Sequence, residues 1–289
     1  MNLLHFTMDY HDPITQVIVQ GSSYQANVIT IDSFIKDVAV NDICSQVQMK
    51  INWNYQGIDI KNDENTLLLN RMCHIPKRIF NFFRESDQEY ALAELQAYFG
   101  FALNMFNKID PKINEYGCIP SYSLPYQWEK IKNEYPSFET LEYYWGDKKY
   151  CHLKSNDNLV YSDIYQYNLW SKQHSLVNKT DSVFCFREPK GVPLIVFVIG
   201  KSVLYSHRSL QDQSKKQLNR ILLELVQTFG YFICEILLFI NHDQITFACI
   251  SPYIIQSHVN AQFEETVNHE ITRIAADYEQ RFHATRVSS

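Results

Sequence analysis

Apolar positions recur along the chain with two periods, and the switching between them sets out an α/β order. Asn27–Ile31 (NVITI) alternates residue by residue, as a strand with one buried face does. Leu3–Thr7 and Thr66–Asn70 (TLLLN) are short apolar runs that predict strands, and Pro13–Gln20 predicts a helix that opens on proline. Asp32–Val38 reads as a helical turn, and Gln46–Trp53 with Gly57–Ile60 as a hairpin-like pair around "NYQG". Ser86–Phe106 (SDQEYALAELQAYFGFALNMF) joins an acidic first turn to apolar residues at helical spacing and predicts a long helix.

Asn107–Ser123 carries Pro111, Gly117 and Pro120 and reads as a connector. Beyond it the pattern predicts a short helix at Gln127–Glu134, strands at Phe138–Tyr144, Tyr150–Lys154 and Val183–Phe186, and a continuous apolar strand at Val192–Ile199. Lys201–Tyr205 returns across Gly200. Ser209–Phe229 is an amphipathic helix with Leu218, Ile221, Leu222, Leu225 and Val226 on one side. Phe232–Ile240 and Gln244–Ile250 form a hairpin over "NHDQ", and a last helix spans about His258–Phe282.

Composition narrows the classes of function. Hydrophobic residues make up 46% and charged residues 20% of 289 positions, which is the range of a folded globular chain. A formal charge of −6 gives no general attraction to nucleic acid or anionic lipid. The apolar run Tyr231–Ile240 is interrupted by Glu235 and is half a bilayer span, and the N-terminus has no secretory pattern, so a soluble, cytoplasmic protein is expected. Seven cysteines stand singly without CxxC pairs, which indicates reduced thiols and neither a zinc site nor a disulfide framework. Only eight glycines occur, with no GxGxxG and no P-loop, so a Rossmann or P-loop nucleotide site is not expected.

The order of elements carries a resemblance. "FREPKGVPLIVFVIGKSVLYS" (186–206) resembles the passage from nucleotide hinge to glycine-turn strand pair in ATP-grasp ligases, and "FGYFICEILLFINHDQITFACISPYI" (229–254) resembles their metal-binding hairpin. In the first half "LLHFTMDYHDPITQVI", "IDSFIKD", "TLLLNRM" and "DQEYALAELQAYFGFALNMF" look similar to the pre-ATP-grasp domain of microviridin-type (graspetide) peptide maturases. The resemblance covers roughly residues 2–280. It implies an α/β (α+β) architecture with an N-terminal pre-ATP-grasp-like domain at 1–115. An ATP-grasp-like region at 116–289 follows, with a central lobe at about 116–187 and a C-terminal lobe at about 188–289.

Carried over residue by residue, Lys154 ("YCHLKS") and Glu188 take the nucleotide-binding positions of the family and Glu235 the first metal-binding carboxylate. Ile195 stands where active ligases place an arginine, Leu124 where they place a lysine, and Cys249 and Ser251 where they place the glutamate and asparagine that hold magnesium. Magnesium takes an oxygen shell built on carboxylates, which a thiol and a hydroxyl do not supply. The resemblance therefore implies a degraded site in a recognition or regulatory subunit. The ligand it implies is a ribosomal precursor peptide or partner protein, and the companion it implies is a second copy or an active ligase.

Other readings stay open. One is an active ATP-dependent carboxylate–amine ligase using ATP and Mg²⁺ at a site rearranged around Glu235, Asp243 and Glu264 or Glu265. Another is an unrelated fold with a structural role. Cys249 also fits a small buried hydrophobe, and Glu235 a strand-edge residue facing solvent. Aromatic clusters at 138–146 and 160–170 suit either a peptide groove or an ordinary core. "NHEITR" is not HExxH, and His269 reads as a surface residue.

Overall fold

The structure is a computed structural model that describes residues 2–7, 12–21, 26–45, 49–64, 66–72, 75–111, 122–153, 159–161, 182–206, 212–242, 244–255 and 259–287. Its first part runs β1 (Asn2–Thr7), α1 (Pro13–Gly21), β2 (Ala26–Thr30) and α2 (Ile31–Asp37), then β3 (Val38–Val40), β4 (Ile43–Cys44), β5 (Met49–Lys50), β6 (Asn52–Tyr55), β7 (Ile58–Lys61) and β8 (Thr66–Arg71). A 3-10 turn, α3 (Glu85–Asn104) and β9 (Ile109–Asp110) complete it.

Strands β2, β1, β8 and β9 form one parallel sheet in that order. Every residue of β8 is buried, as a parallel sheet covered on both faces requires. Leu67 and Leu69 enter the larger core with Ile14, Val17 and Ile18 of α1, whereas Leu68 enters a second core with Phe6, Phe34, Trp53 and Phe99. The alternation of side chains along one strand thus joins two cores. The hairpin around "NYQG" is β6–β7, with its first arm at Asn52–Tyr55 and not Gln46–Trp53 because Met49 and Lys50 pair with β4 instead. It is turned by Gln56 (φ 51) and Gly57 (φ 82), the pair of positive φ angles that a type I′ turn needs.

The second part contains α4 (Leu124–Glu134), β10 (Glu139–Thr140), β11 (Tyr143–Asp147), β12 (Leu159–Tyr161) and β13 (Ser182–Arg187). It continues with β14 (Val192–Ile199), β15 (Ser202–Tyr205), α5 (Asp212–Phe229), β16 (Ile233–Asn241), β17 (Gln244–Ser251) and α6 (Ala261–Val287). β13 is the middle strand of the antiparallel sheet β11-β13-β12, and β10-β17-β16-β14-β15 form a five-stranded sheet on which α5 and α6 pack. None of the described helices is long and apolar enough to cross a membrane.

Two expected strands of the second part differ. Phe138–Tyr144 splits, because β10 pairs with β17 while β11 pairs with β13, and Leu141 is buried at the crossing between the sheets. In place of a strand from Tyr150, Lys148–Tyr150 is a 3-10 turn and residues 151–153 form no strand; Lys154 lies outside the described residues. Asp147 sets this turn: its Oδ1 accepts from the Lys149 N–H at 2.9 Å and its carbonyl from the Tyr144 hydroxyl at 2.5 Å. Local bonds of this kind satisfy backbone that a strand would pair elsewhere.

Candidate functional site

The hairpin β16–β17 carries three of the residues expected at the site, Glu235, Cys249 and Ser251. Glu235 lies directly across the ladder from Ser251, and Leu237 across from Cys249. Directly opposed residues share a sheet face, as do residues two apart on one strand, so Glu235, Cys249 and Ser251 project from the same face. All three are buried, Glu235 to 1% exposure, which excludes the solvent-facing reading of that carboxylate.

An ionised carboxylate at this depth requires polar partners. Glu235 Oε2 accepts from the Ile255 N–H at 3.1 Å, and Ser251 Oγ accepts from the Tyr253 N–H at 2.9 Å. Both side chains thereby bind the backbone that leaves Pro252, so they build the turn at the end of β17. Burial and the nearby Glu235 charge push the Cys249 thiol far above its ordinary value, which keeps it neutral. One carboxylate, a neutral thiol and a hydroxyl do not fit magnesium, whose binding needs more carboxylate oxygen than Glu235 alone brings.

The same turn docks on the first sheet. Arg71, at the carboxyl end of β8, donates from Nη1 to the Pro252 carbonyl and from Nη2 to Asp12 Oδ1 at 3.1 Å. The Tyr253 hydroxyl donates to the Met72 carbonyl at 2.7 Å. Asp12 also caps α1, accepting from the Thr15 N–H at 2.9 Å. Asp110, ending β9, has a carboxyl pushed up to about 7, because burial outweighs the opposing pull of Arg71 and a bond from the Phe232 N–H. Arg71 stays charged: burial pulls it down, but Asp12 and Asp110 outweigh that. The carboxyl ends of β1, β8 and β9 therefore converge on the end of β17, the edge of a parallel sheet where α/β proteins place their sites. This cluster was missed from sequence; "DPIT" is a capping pattern, but nothing local pairs Asp12 with Arg71.

α4 holds β17 from its other edge. β10 covers β17 only at Thr246 and Phe247, and a bulge at Ala248 breaks the ladder with β16. The Trp128 indole N–H donates to the Ala248 carbonyl at 2.7 Å, and Gln127 Oε1 accepts from the Ile250 N–H at 2.8 Å. Backbone groups left by the short edge strand are thus satisfied by side chains.

The remaining candidates are dispersed or outside view. Lys154 and Asp243 fall outside the described residues. Glu188 is exposed in the connector between β13 and β14, which enters the five-stranded sheet where Val192 faces Ile240, five residues along β16 from Glu235. At ~3.3 Å per residue the two ends of that segment are roughly 17 Å apart. Ile195 and Leu124 are buried in the larger core. Glu264 and Glu265 are exposed in the first turns of α6, His269 is exposed, and among the described residues no three His, Cys, Asp or Glu side chains are grouped to hold an ion. Of the aromatic cluster at 138–146, Phe138 is core, while Trp145 is 62% exposed on β11, an outer strand of its sheet. Most of the cluster at 160–170 lies outside the described residues.

No family model and no curated protein matches the sequence. Solved structures match over nearly its full length. The macrocyclase MdnC bound with precursor peptide MdnA, from Microcystis aeruginosa MRC, has a TM-score of 0.67 at 14% identity over 93% of this chain and 98% of that one. The ATP-grasp ligase PsnB complexed with minimal precursor, Mg and ADP has a TM-score of 0.65 at 11% identity over 96% and 98%. A Chryseobacterium gregarium RiPP-associated ATP-grasp ligase in complex with ADP and a leader and core peptide has a TM-score of 0.56 at 11% identity over 93% and 96%. The chain has the ATP-grasp fold, and its architecture resembles that of peptide-modifying ATP-grasp ligases. At these identities the likeness is one of fold.

Proposed function

We propose that the protein recognises a ribosomally made precursor peptide, or a partner protein, as the binding or regulatory subunit of a peptide-maturation system, and that its nucleotide and magnesium site no longer supports ligation. The observation that carries this reading is the buried trio Glu235, Cys249 and Ser251. Its hydroxyl and a carboxylate oxygen bind the turn backbone, and its thiol is neutral. Acyl-phosphate chemistry depends on fixed cationic charge at the phosphates, and removing a single electrostatic stabiliser costs ~10²–10³ in rate.

In this reading residues 1–115 form the pre-ATP-grasp-like domain, 116–187 the central lobe and 188–289 the C-terminal lobe. Lys154 and Glu188 are what remains of the nucleotide site, and Glu235 of the metal site. The named neighbours MdnC and PsnB hold precursor peptides, which supports a peptide as ligand. Exposed Trp145 on the outer strand β11 suits such a contact, because aromatic side chains anchor peptides at low entropic cost. The companion is a second copy or an active ligase, and the place of action is the cytoplasm, where ribosomal precursors arise.

A second reading, an active carboxylate–amine ligase using ATP and Mg²⁺, draws on the retained carboxylate of Glu235 and on the nucleotides and Mg in the PsnB structures. Calorimetry with a leader–core peptide, alongside ADP release in Mg-ATP, separates the two. Peptide binding without peptide-dependent ADP is expected. Stoichiometric ADP release would overturn the loss of chemistry, and absence of peptide binding would overturn the recognition role.

A further inference from the structure

Cys151 and Cys185 lie 34 residues apart in sequence, yet their sulfurs are 3.8 Å apart, in contact through a thiol hydrogen bond. Cys185 is on β13, the middle strand of its sheet, paired with Tyr144 on one side and Tyr161 on the other, and is fully buried. Cys151 follows the 3-10 turn in a segment outside helix and strand, and it is half-buried. Leu153, Tyr144 and Leu159 surround the pair with apolar surface. One sulfur is therefore held by a ladder on both sides, while the other sits on backbone that has no ladder to break.

We propose that Cys151 and Cys185 form a redox modification site, closing to a disulfide when the protein meets hydrogen peroxide and reopening with a dithiol. A disulfide places its sulfurs at about 2.05 Å, so closure needs under 2 Å of approach. Rotation of the Cys151 side chain and a small shift of residues 151–153 supply it. Cys151 is the entry point because it is the partly exposed member. Its sulfur attacks peroxide, the O–O bond breaks, and a sulfenic acid and one water result. The Cys185 sulfur then attacks the Cys151 sulfur; the S–O bond breaks, and the hydroxyl leaves as a second water with the Cys185 proton. Two thiols have been oxidised by two electrons, and one peroxide has been reduced to two waters.

Burial and the neighbouring Cys151 push the Cys185 thiol up to about 12, which protects it from direct oxidation by peroxide; its role as second partner follows from its contact with Cys151. The closed bond clamps residues 151–153 onto the strand that runs directly into Glu188. This consequence for the nucleotide position rests on the proposed function; the bond itself does not.

The test is peptide mapping by mass spectrometry after treating the full chain with stepwise hydrogen peroxide and alkylating with iodoacetamide. Expected are a linked 151–185 peptide, loss of alkylation at both positions, and recovery of both thiols with dithiothreitol. In Cys185→Ala, dimedone should label Cys151, since the sulfenic acid has lost its resolving partner. Peroxide treatment of wild type that yields no linked peptide overturns the proposal, and because this arm uses no variant, a misfolded substitution does not obscure it. Thermal shift with Mg-ATP on the reduced and oxidised forms separates the readings. A shift that differs between the forms supports the clamp. Equal shifts overturn the clamp alone, and no shift in either form counts against the nucleotide reading while leaving the linked-peptide result standing.

Discussion

The Arg71 guanidinium lies 3.1 Å from the Asp12 carboxylate, and with its other terminal nitrogen it holds the Pro252 carbonyl, so one buried side chain ties the first sheet to the turn after β17. Removing one partner of a buried ion pair costs about 3–5 kcal/mol, because the other charge remains sequestered. Arg71→Met should lower stability by about that amount in urea unfolding. Arg71→Lys should recover less than half, since an ammonium does not span both acceptors with a planar fork.

Asp110 makes stability depend on pH. Its folded value of about 7 is above the ordinary carboxylate value of 3.8, so the native state holds the proton more tightly than the unfolded chain does. Its contribution is fully present below about pH 4 and is lost as pH rises through about 7. The melting temperature should fall between about pH 4 and about pH 7, and in Asp110→Asn that fall should be smaller. Equal pH profiles in scanning fluorimetry would refute the assignment.

Gln127 and Trp128 each satisfy one backbone group of β17. A buried donor or acceptor left without a partner costs ~1–3 kcal/mol. Gln127→Leu and Trp128→Phe should each destabilise by about that amount, and the amide of Ile250 should lose hydrogen-exchange protection in the first variant.

Gly191 and Gly100 should respond in opposite directions to alanine. Gly191 has φ +107 and a Cβ there would meet the Ile240 carbonyl, a backbone atom, whereas Gly100 in α3 has open space. Gly191→Ala should destabilise by roughly 2 kcal/mol or more. Gly100→Ala should stabilise by up to about 1 kcal/mol.

If Cys249 and Ser251 occupy the places of lost ligands, returning the ligands should return an ion. Cys249→Glu combined with Ser251→Asn should show a melting temperature that rises with MgCl₂ where wild type does not. A folded double variant indifferent to Mg²⁺ would count against the alignment of this hairpin.

The strands and helices of the second half were legible in the sequence where their signal was local. Val192–Ile199 is continuous apolar sequence and is β14 residue for residue, and β16 and β17 pair back from Asn241 and Gln244 as the polarity of that stretch suggested. Phe138–Tyr144 was not legible as two strands, because the break at Leu141 is decided by which sheet each half joins. Glu235 was visibly anomalous in an apolar strand, but its partner, the Ile255 amide, is 20 residues away and carries no side-chain signal.

Periodicity by itself determined the longer strands and helices and their sequence order, since such an element exposes its pattern within a few residues. The order in turn pointed to the ATP-grasp resemblance. Only tertiary structure decided that Asp12, Arg71, Asp110 and Tyr253 meet, that α4 completes the edge of β17, and that Cys151 touches Cys185. Those contacts join residues separated by tens to nearly two hundred positions, and their energies depend on burial that no local window contains.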